Sequence, residues 1–213
     1  MADPREFWNH RYAMPGWAYG TEPHSLVREV APKLTGPVLC LGEGEGRNAV
    51  FLAQRGLDVT ALDLSEKGLE KTRALAAEKG VQVRTVLADL ATTELATLEG
   101  GPWGAVIAIW VHLPSWLRQK VHRDAAAALK PGGHLVLAAY TPEQLKFDTG
   151  GPKTVDLLYR PDDVRADLEG LEVVSFFAGE REVNEGEWHR GRSAVVEVVA
   201  QKLPLLPRRR GSG

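Results

Sequence analysis

Three glycines at alternate positions enclose two carboxylates in the run Leu41-Gly42-Glu43-Gly44-Glu45-Gly46-Arg47-Asn48. Glycine at this spacing lets backbone approach a ligand closely and adopt conformations that other residues resist. The run follows an apolar stretch and opens a helix, where a phosphate would ordinarily meet free N–H groups and the helix dipole. Carboxylates at Glu43 and Glu45 oppose a phosphate there, at a cost on the order of a few kcal/mol in partly desolvated surroundings. A cationic ligand suits the turn better. S-adenosylmethionine carries an ammonium and a sulfonium and no phosphate. The plainer use of the two glutamates is to satisfy the dipole of the helix that follows.

Two more acids stand where such a ligand would reach. Asp63 closes the run Val59-Thr-Ala-Leu-Asp63 and can accept both ribose hydroxyls. Its alternative task is to cap the next helix, which Ser65 could do equally well. Asp89, after Val86-Leu-Ala88, is placed to accept from an adenine amino group or to serve as a turn residue. Trp110, His112 and Tyr140 follow the fourth and fifth apolar runs, and Glu187 and His189 lie in a late loop. Trp110, Tyr140 and Glu187 are candidates for substrate contact, and His112 and His189 for catalytic groups. A methyl on a sulfonium is already activated, so its transfer needs chiefly an aligned nucleophile in a dry pocket. A general base matters for a hydroxyl or amine and little for a thiolate, selenide or reduced metalloid. No metal ligands are assigned. His122 is expected to be exposed and is given no role.

The elements that must position these groups alternate. Strands are expected at Pro37–Leu41, Asp58–Leu62, Val81–Leu87, Ala105–Trp110 and His134–Tyr140. Helices are expected from near Pro23, with Thr21 or Glu22 as cap, then at Arg47–Arg55, Ser65–Glu78 and Ser115–Leu129. The last of these stops at Lys130-Pro-Gly-Gly133. The alternation implies a parallel sheet covered on both faces. Leu171–Val183 and Ser193–Gln201 are joined by too short a segment for a crossover helix, so they should form an antiparallel hairpin at one edge. The expected fold is an α/β Rossmann-like three-layer sandwich. Its seven-stranded, mostly parallel sheet would end in an antiparallel C-terminal hairpin strand. Thr141–Arg160 is irregular and glycine-rich, the usual makeup of a functional lid.

The stretches Leu39–Ala53, Ala61-Leu-Asp-Leu-Ser65, Ala88-Asp-Leu90 and Leu129–Leu137 resemble class I methyltransferases. More narrowly, Phe7-Trp-Asn-His-Arg-Tyr12, Tyr19-Gly-Thr-Glu-Pro23 and Glu187-Trp-His-Arg-Gly191 are similar to the tellurite-resistance and thiopurine methyltransferase group. The resemblance implies S-adenosylmethionine as cofactor. It would be held by Gly42, Glu43, Gly44, Asn48, Asp63, Leu64, Ala88, Asp89, Leu90 and Ile109. Trp8, Arg11, Tyr12 and Tyr19 would fold over it, with Arg11 facing its carboxylate, and Tyr12 is also a candidate substrate contact. Trp8 and Tyr12 could equally be an apolar staple of an N-terminal helix. One departure is visible: many members carry an acid where this chain has Cys40, so the methionine end would fall to backbone carbonyls or to Glu43.

The chain of 213 residues, with a formal charge of -2, suits one globular domain and offers no basic field for nucleic acid or an anionic membrane. A single cysteine excludes a disulfide framework, and no apolar stretch approaches the roughly 20 residues of a membrane span. The expectation is a cytoplasmic enzyme, monomer or homodimer, with a small-molecule methyl acceptor. Residues 1–203 would form the domain, 1–36 its cofactor cover and 204–213 a flexible basic tail. The competing readings are a nicotinamide-dependent oxidoreductase and a non-catalytic S-adenosylmethionine-binding protein.

Overall fold

Val38–Leu41 (β1), Val59–Asp63 (β2) and Trp103–Ile109 (β4) are buried at every position. That is the lot of strands covered by helices on both faces. The computed structural model describes residues 3–186 and 188–204. Its sheet is completed by Arg84–Leu87 (β3), Leu129–Tyr140 (β5), Leu171–Glu185 (β6) and His189–Lys202 (β7). Strand order is β3-β2-β1-β4-β5-β7-β6. All neighbours are parallel except β7, which runs antiparallel to both β5 and β6. The chain leaves β1 toward β3 and then crosses back to β4, so the sheet changes direction between β1 and β4. Ligands bind beyond the strand ends at such a switch point, and the glycine turn lies there.

Helices Ser25–Val30 (α2), Arg47–Gln54 (α3) and Glu66–Glu78 (α4) belong with one face, where Val38, Cys40, Ala61 and Ile107 meet Val27, Leu52 and Leu69. Ser115–Ala128 (α5) and Pro161–Asp167 (α6) cover the other, against Leu39, Leu41, Val106 and Leu135. A further helix, Pro4–Tyr12 (α1), docks on the start of α4: Asn9 Oδ1 accepts from Ser65 Oγ at 2.7 Å.

Several expectations are corrected. α2 starts at Ser25, and its cap is His24, whose Nδ1 accepts from Leu26 N–H at 3.1 Å, rather than Thr21 or Glu22. Extended backbone resumes at Leu129, so Lys130–Gly133 is a bulge inside β5 against Trp103 and not a loop before it. The hairpin strands reach Glu185 and restart at His189, which narrows the connection. His122 is buried, 3% exposed, with Nδ1 2.9 Å from Asp167 Oδ2. Arg118, one turn earlier on α5, donates to the same oxygen at 2.7 Å, so the pair clamps α6. The tail assigned to 204–213 lies outside the described residues from 205 onward.

Candidate functional site

The turn after β1 is built from left-handed backbone, with φ of +53° at Gly42, +63° at Gly44 and +92° at Gly46. A Cβ on Gly42 would stand 3.0 Å from Val111, one on Gly44 2.5 Å from the Tyr12 hydroxyl, and one on Gly46 2.8 Å from Thr72. The turn is thus fenced by the end of β4, by α1 and by α4. Asp63 braces it, with Oδ2 accepting Gly44 N–H at 2.8 Å and Oδ1 accepting Ser65 N–H at 2.7 Å. Ser65 Oγ is the α4 cap, accepting Gly68 N–H at 3.1 Å. A carboxylate offers about four lone-pair sites, so two remain on Asp63. Burial raises its carboxyl above the ordinary value, against those backbone bonds.

The two glutamates turn inward. Glu43 Oε1 accepts from Asn48 N–H at 2.9 Å and Ala49 N–H at 2.8 Å, capping α3. Its carboxyl lies beside Cys40, and burial lifts it to about 7. Cys40 leaves out the strand acid, and Glu43 folds back beside it. Glu45 pairs with Lys71 at 2.7 Å and accepts Tyr19 N–H at 3.3 Å. Lys71 also donates to the carbonyls of Met14 and Gly16, so this pair pins the N-terminal segment. Neither carboxylate therefore faces a ligand as the residue types suggested: Glu43 is taken by the start of α3 and Glu45 by Lys71.

The remaining predicted ligand residues divide. Asn48 is spent on structure, its Oδ1 accepting His24 N–H at 2.9 Å. Leu90 packs in the core with Leu62 and Leu95. Leu64 and Ala88 are half-buried at the ends of β2 and β3, and Ile109 is buried at the end of β4. Asp89 Oδ1 accepts Ala91 N–H at 2.8 Å, a local turn. Trp8 stacks on Tyr12 with centroids 5.4 Å apart. Arg11 donates to the Tyr19 hydroxyl at 2.9 Å and lies over the Trp188 ring. Tyr12, expected over the cofactor and as a candidate substrate contact, lies on Gly44 of the turn.

Next to Val111 an aromatic wall rises. Trp110 stacks on Tyr140 at 4.4 Å, and His112 lies parallel to Tyr140 at 5.6 Å. His189 meets Tyr19, Trp110 and Tyr140 at 4.7, 5.2 and 5.3 Å. Trp110 has φ +59°, a left-handed backbone on a bulky residue, which costs on the order of 1–3 kcal/mol.

The two candidate catalytic histidines differ in what holds them. His112 Nδ1 donates to the Leu157 carbonyl at 2.8 Å, and Nε2 accepts Tyr140 N–H at 3.5 Å, so both ring nitrogens are engaged. Burial lowers it to about 4. His189, 6% exposed rather than solvated, is lowered to about 3, again by burial, and its Nδ1 has no partner among the described residues. The Tyr140 hydroxyl is also buried without one. Gly150, in the irregular segment between β5 and α6, lies over both, since a Cβ there would stand 2.8 Å from His189 and 3.3 Å from that hydroxyl. Glu187 lies outside the described residues.

Sequence reading missed Glu185. Its Oε2 accepts from Arg47 Nη2 at 2.6 Å and Trp110 Nε1 at 2.7 Å, and Oε1 lies 3.4 Å from His24 Nε2. Burial raises this carboxyl, but Arg47, His24 and the indole N–H outweigh it and hold it below the ordinary range. No local signal marks the residue, because its partners are distant in sequence. Among the described residues no helix is long and apolar enough to cross a membrane.

Residues 38–133 match the model of a methyltransferase domain. No curated protein matches the chain. Among solved structures, one reported for conversion of a disulfide bond into a thioacetal group during echinomycin biosynthesis has a TM-score of 0.76 at 17% identity, covering 94% of this chain and 92% of that one. TehB from Haemophilus influenzae has a TM-score of 0.68 at 16% identity, covering 93% and 66%. Magnesium protoporphyrin IX methyltransferase from Synechocystis, with bound S-adenosylhomocysteine, has a TM-score of 0.65 at 18% identity, covering 93% and 97%. At these identities the likeness is one of fold. Residues 38–133 thus match a methyltransferase-domain model, and the sheet and helices share the fold of solved methyltransferases.

Proposed function

We propose that this chain transfers a methyl group from S-adenosylmethionine to a small-molecule nucleophile held against the Trp110–Tyr140 wall. The match of residues 38–133 to a methyltransferase domain supports that activity, and the fold shared with methyltransferases, among them one with bound S-adenosylhomocysteine, supports the cofactor. One observation carries the reading of the site. Gly42 of the left-handed turn touches Val111, the neighbour of Trp110, so a ligand cradle adjoins an aromatic wall with two unpartnered buried polar atoms. S-adenosylmethionine supplies, when bound, a methyl made electrophilic by its sulfonium.

The chain's own residues then divide the work. Gly42 and Gly44 expose backbone, the spare lone pairs of Asp63 suit ribose hydroxyls, and Asp89 suits an adenine amino group. Arg11, on α1 beside Tyr19, is the cation proposed for the methionine carboxylate. Tyr12 is the side chain that must yield for a ligand to reach Gly44. Trp110, Tyr140 and Tyr19 exclude water and present flat apolar faces. His112 is a wall, because both its nitrogens are engaged. His189, neutral and with a free Nδ1, is the group able to accept a proton from an acceptor.

The narrower likeness to the tellurite-resistance and thiopurine group favours a soft acceptor, a thiol, selenium or reduced metalloid. The aromatic faces of Trp110, Tyr140 and Tyr19 support that choice. Because Glu43 and Glu45 face inward, the turn by itself no longer repels a phosphate, so nicotinamide cofactors belong in the test. Calorimetric titration with S-adenosylhomocysteine and with NAD(P)H separates the two, and tight nicotinamide binding alone would sink this reading. A labelled-methyl assay over thiols, phenols, amines, selenite and tellurite then addresses the acceptor, and silence across the panel despite binding favours a non-catalytic role.

A further inference from the structure

Glu185 has a place in the fold but no task in the scheme above. Arg47 is the first residue of α3, directly after Gly46, and its Nη1 donates to the Tyr19 carbonyl at 3.3 Å while its Nη2 holds Glu185. Trp110 is, among the described residues, the one non-glycine residue with positive φ. Such backbone persists only where the surroundings over-determine it. Three contacts do so: the ring on Tyr140, Trp110 N–H to the Ala138 carbonyl at 2.8 Å, and the indole N–H to Glu185. Of these partners Glu185 alone is also bonded to the helix that opens from the glycine turn.

We propose that Glu185 is a positioning residue: with one carboxylate it fixes the Trp110 face that the acceptor meets and ties that face, through Arg47, to the cofactor turn. The inference rests on the methyl-transfer reading of the site. It makes the acceptor wall after β4 and β5 and the cofactor cradle after β1 one rigid unit, tied by a residue of β6 far along the chain.

The test uses Glu185→Ala, Glu185→Gln, Trp110→Phe and the double variant Glu185→Ala/Trp110→Phe in the full chain. Glu185→Gln keeps an oxygen for the indole N–H, whereas Trp110→Phe keeps a ring and drops the donor. Three readouts are taken: near-ultraviolet circular dichroism, S-adenosylhomocysteine Kd, and kcat/KM with the best acceptor from the panel. Glu185→Ala and Trp110→Phe should each lower kcat/KM about tenfold or more, with Kd altered less than about threefold. The double variant should be no worse than the worse single one, as expected for groups acting through a shared contact. The dichroic band lost in Trp110→Phe should be lost in Glu185→Ala and retained in Glu185→Gln.

Losses that multiply in the double variant, or a change confined to Kd, overturn the proposal. An unchanged band in Glu185→Ala overturns it without reference to activity. A wild-type chain that binds no S-adenosylhomocysteine refutes the methyl-transfer reading instead, and the spectral comparison still decides whether Glu185 fixes Trp110. If Glu185→Gln alone leaves Arg47 buried without a counter-charge and does not fold, Arg47→Met/Glu185→Gln removes both charges and takes its place.

Discussion

Replacing Glu43 by glutamine should stabilise the protein at high pH and leave it unchanged in acid. The carboxyl is 9% exposed and lies against Cys40 beneath the glycine turn. Burial lifts it to about 7 from an ordinary 4.5, although the N–H groups of Ala49 and Asn48 and the Arg47 charge pull it back. Because the folded value is the higher one, the folded chain binds the extra proton between those two pH values. The stability this group contributes is full below about 4.5, falls as pH rises to about 7, and is flat beyond. At about 1.4 kcal/mol per tenfold in proton affinity, the loss comes to about 3 kcal/mol. Glutamine keeps the oxygen that caps α3 and never ionises. For a chain of this size the variant should melt about 6–12 °C above wild type near pH 8, and level with it below about pH 5. Paired calorimetric scans from about pH 5 to pH 9 measure the difference directly, since shifts at Asp63, Glu185 and Glu197 are common to both proteins. A gap that stays constant with pH, or one that widens in acid, refutes the reasoning.

Gly46→Ala should cost about 2 kcal/mol or more, from left-handed strain plus contact with Thr72, whereas Gly56→Ala, with similar φ and open space, should cost about 1; urea midpoints compare them. Arg118→Ala leaves Asp167 with His122 alone and empties the space of a side chain 2% exposed, so it should destabilise by about 3 kcal/mol in the same assay, with Arg118→Met, which keeps the packing, milder. His189 is neutral above about pH 3, so no ionisation of this group should appear in a kcat profile above about pH 5; an inflection near 6.5 that vanishes in His189→Gln would contradict its burial. If the acceptor is a thiol or metalloid, His189→Gln should lower kcat by less than about tenfold, against about 10²–10⁴ for a hydroxyl or amine that needs a base.

The parallel sheet was legible because β1, β2 and β4 are continuous apolar runs, and the glycine turn because left-handed backbone leaves a glycine signature. Asp63 was found at the right strand end, but its bond to Gly44 was not foreseeable, since that pairing joins two separate turns. Residue type suggested that Glu43 and Glu45 faced a ligand. Their partners decide otherwise: a helix start five residues on for one and Lys71 for the other. The same limit explains His122, whose counter-ion Asp167 lies on a helix that periodicity had not marked. The hairpin was expected, yet its strands run closer to the turn than propensity suggests. Cross-strand pairing from Leu171–Lys202 to Glu185–His189 carries polar residues into the ladder. Glu185 could not be read from the sequence at all.

The Arg47–Glu185 contact joins residues 138 apart in the chain. Closing so long a segment gains nothing until nearly the last strand is in place, whereas β1 to β5 can pair progressively as they are made. The scaffold can therefore assemble ahead of the site it carries, and the aromatic wall is among the last parts of the molecule to become defined. A partly made chain would hold most of the sheet while the walls of its cleft were still unbuilt.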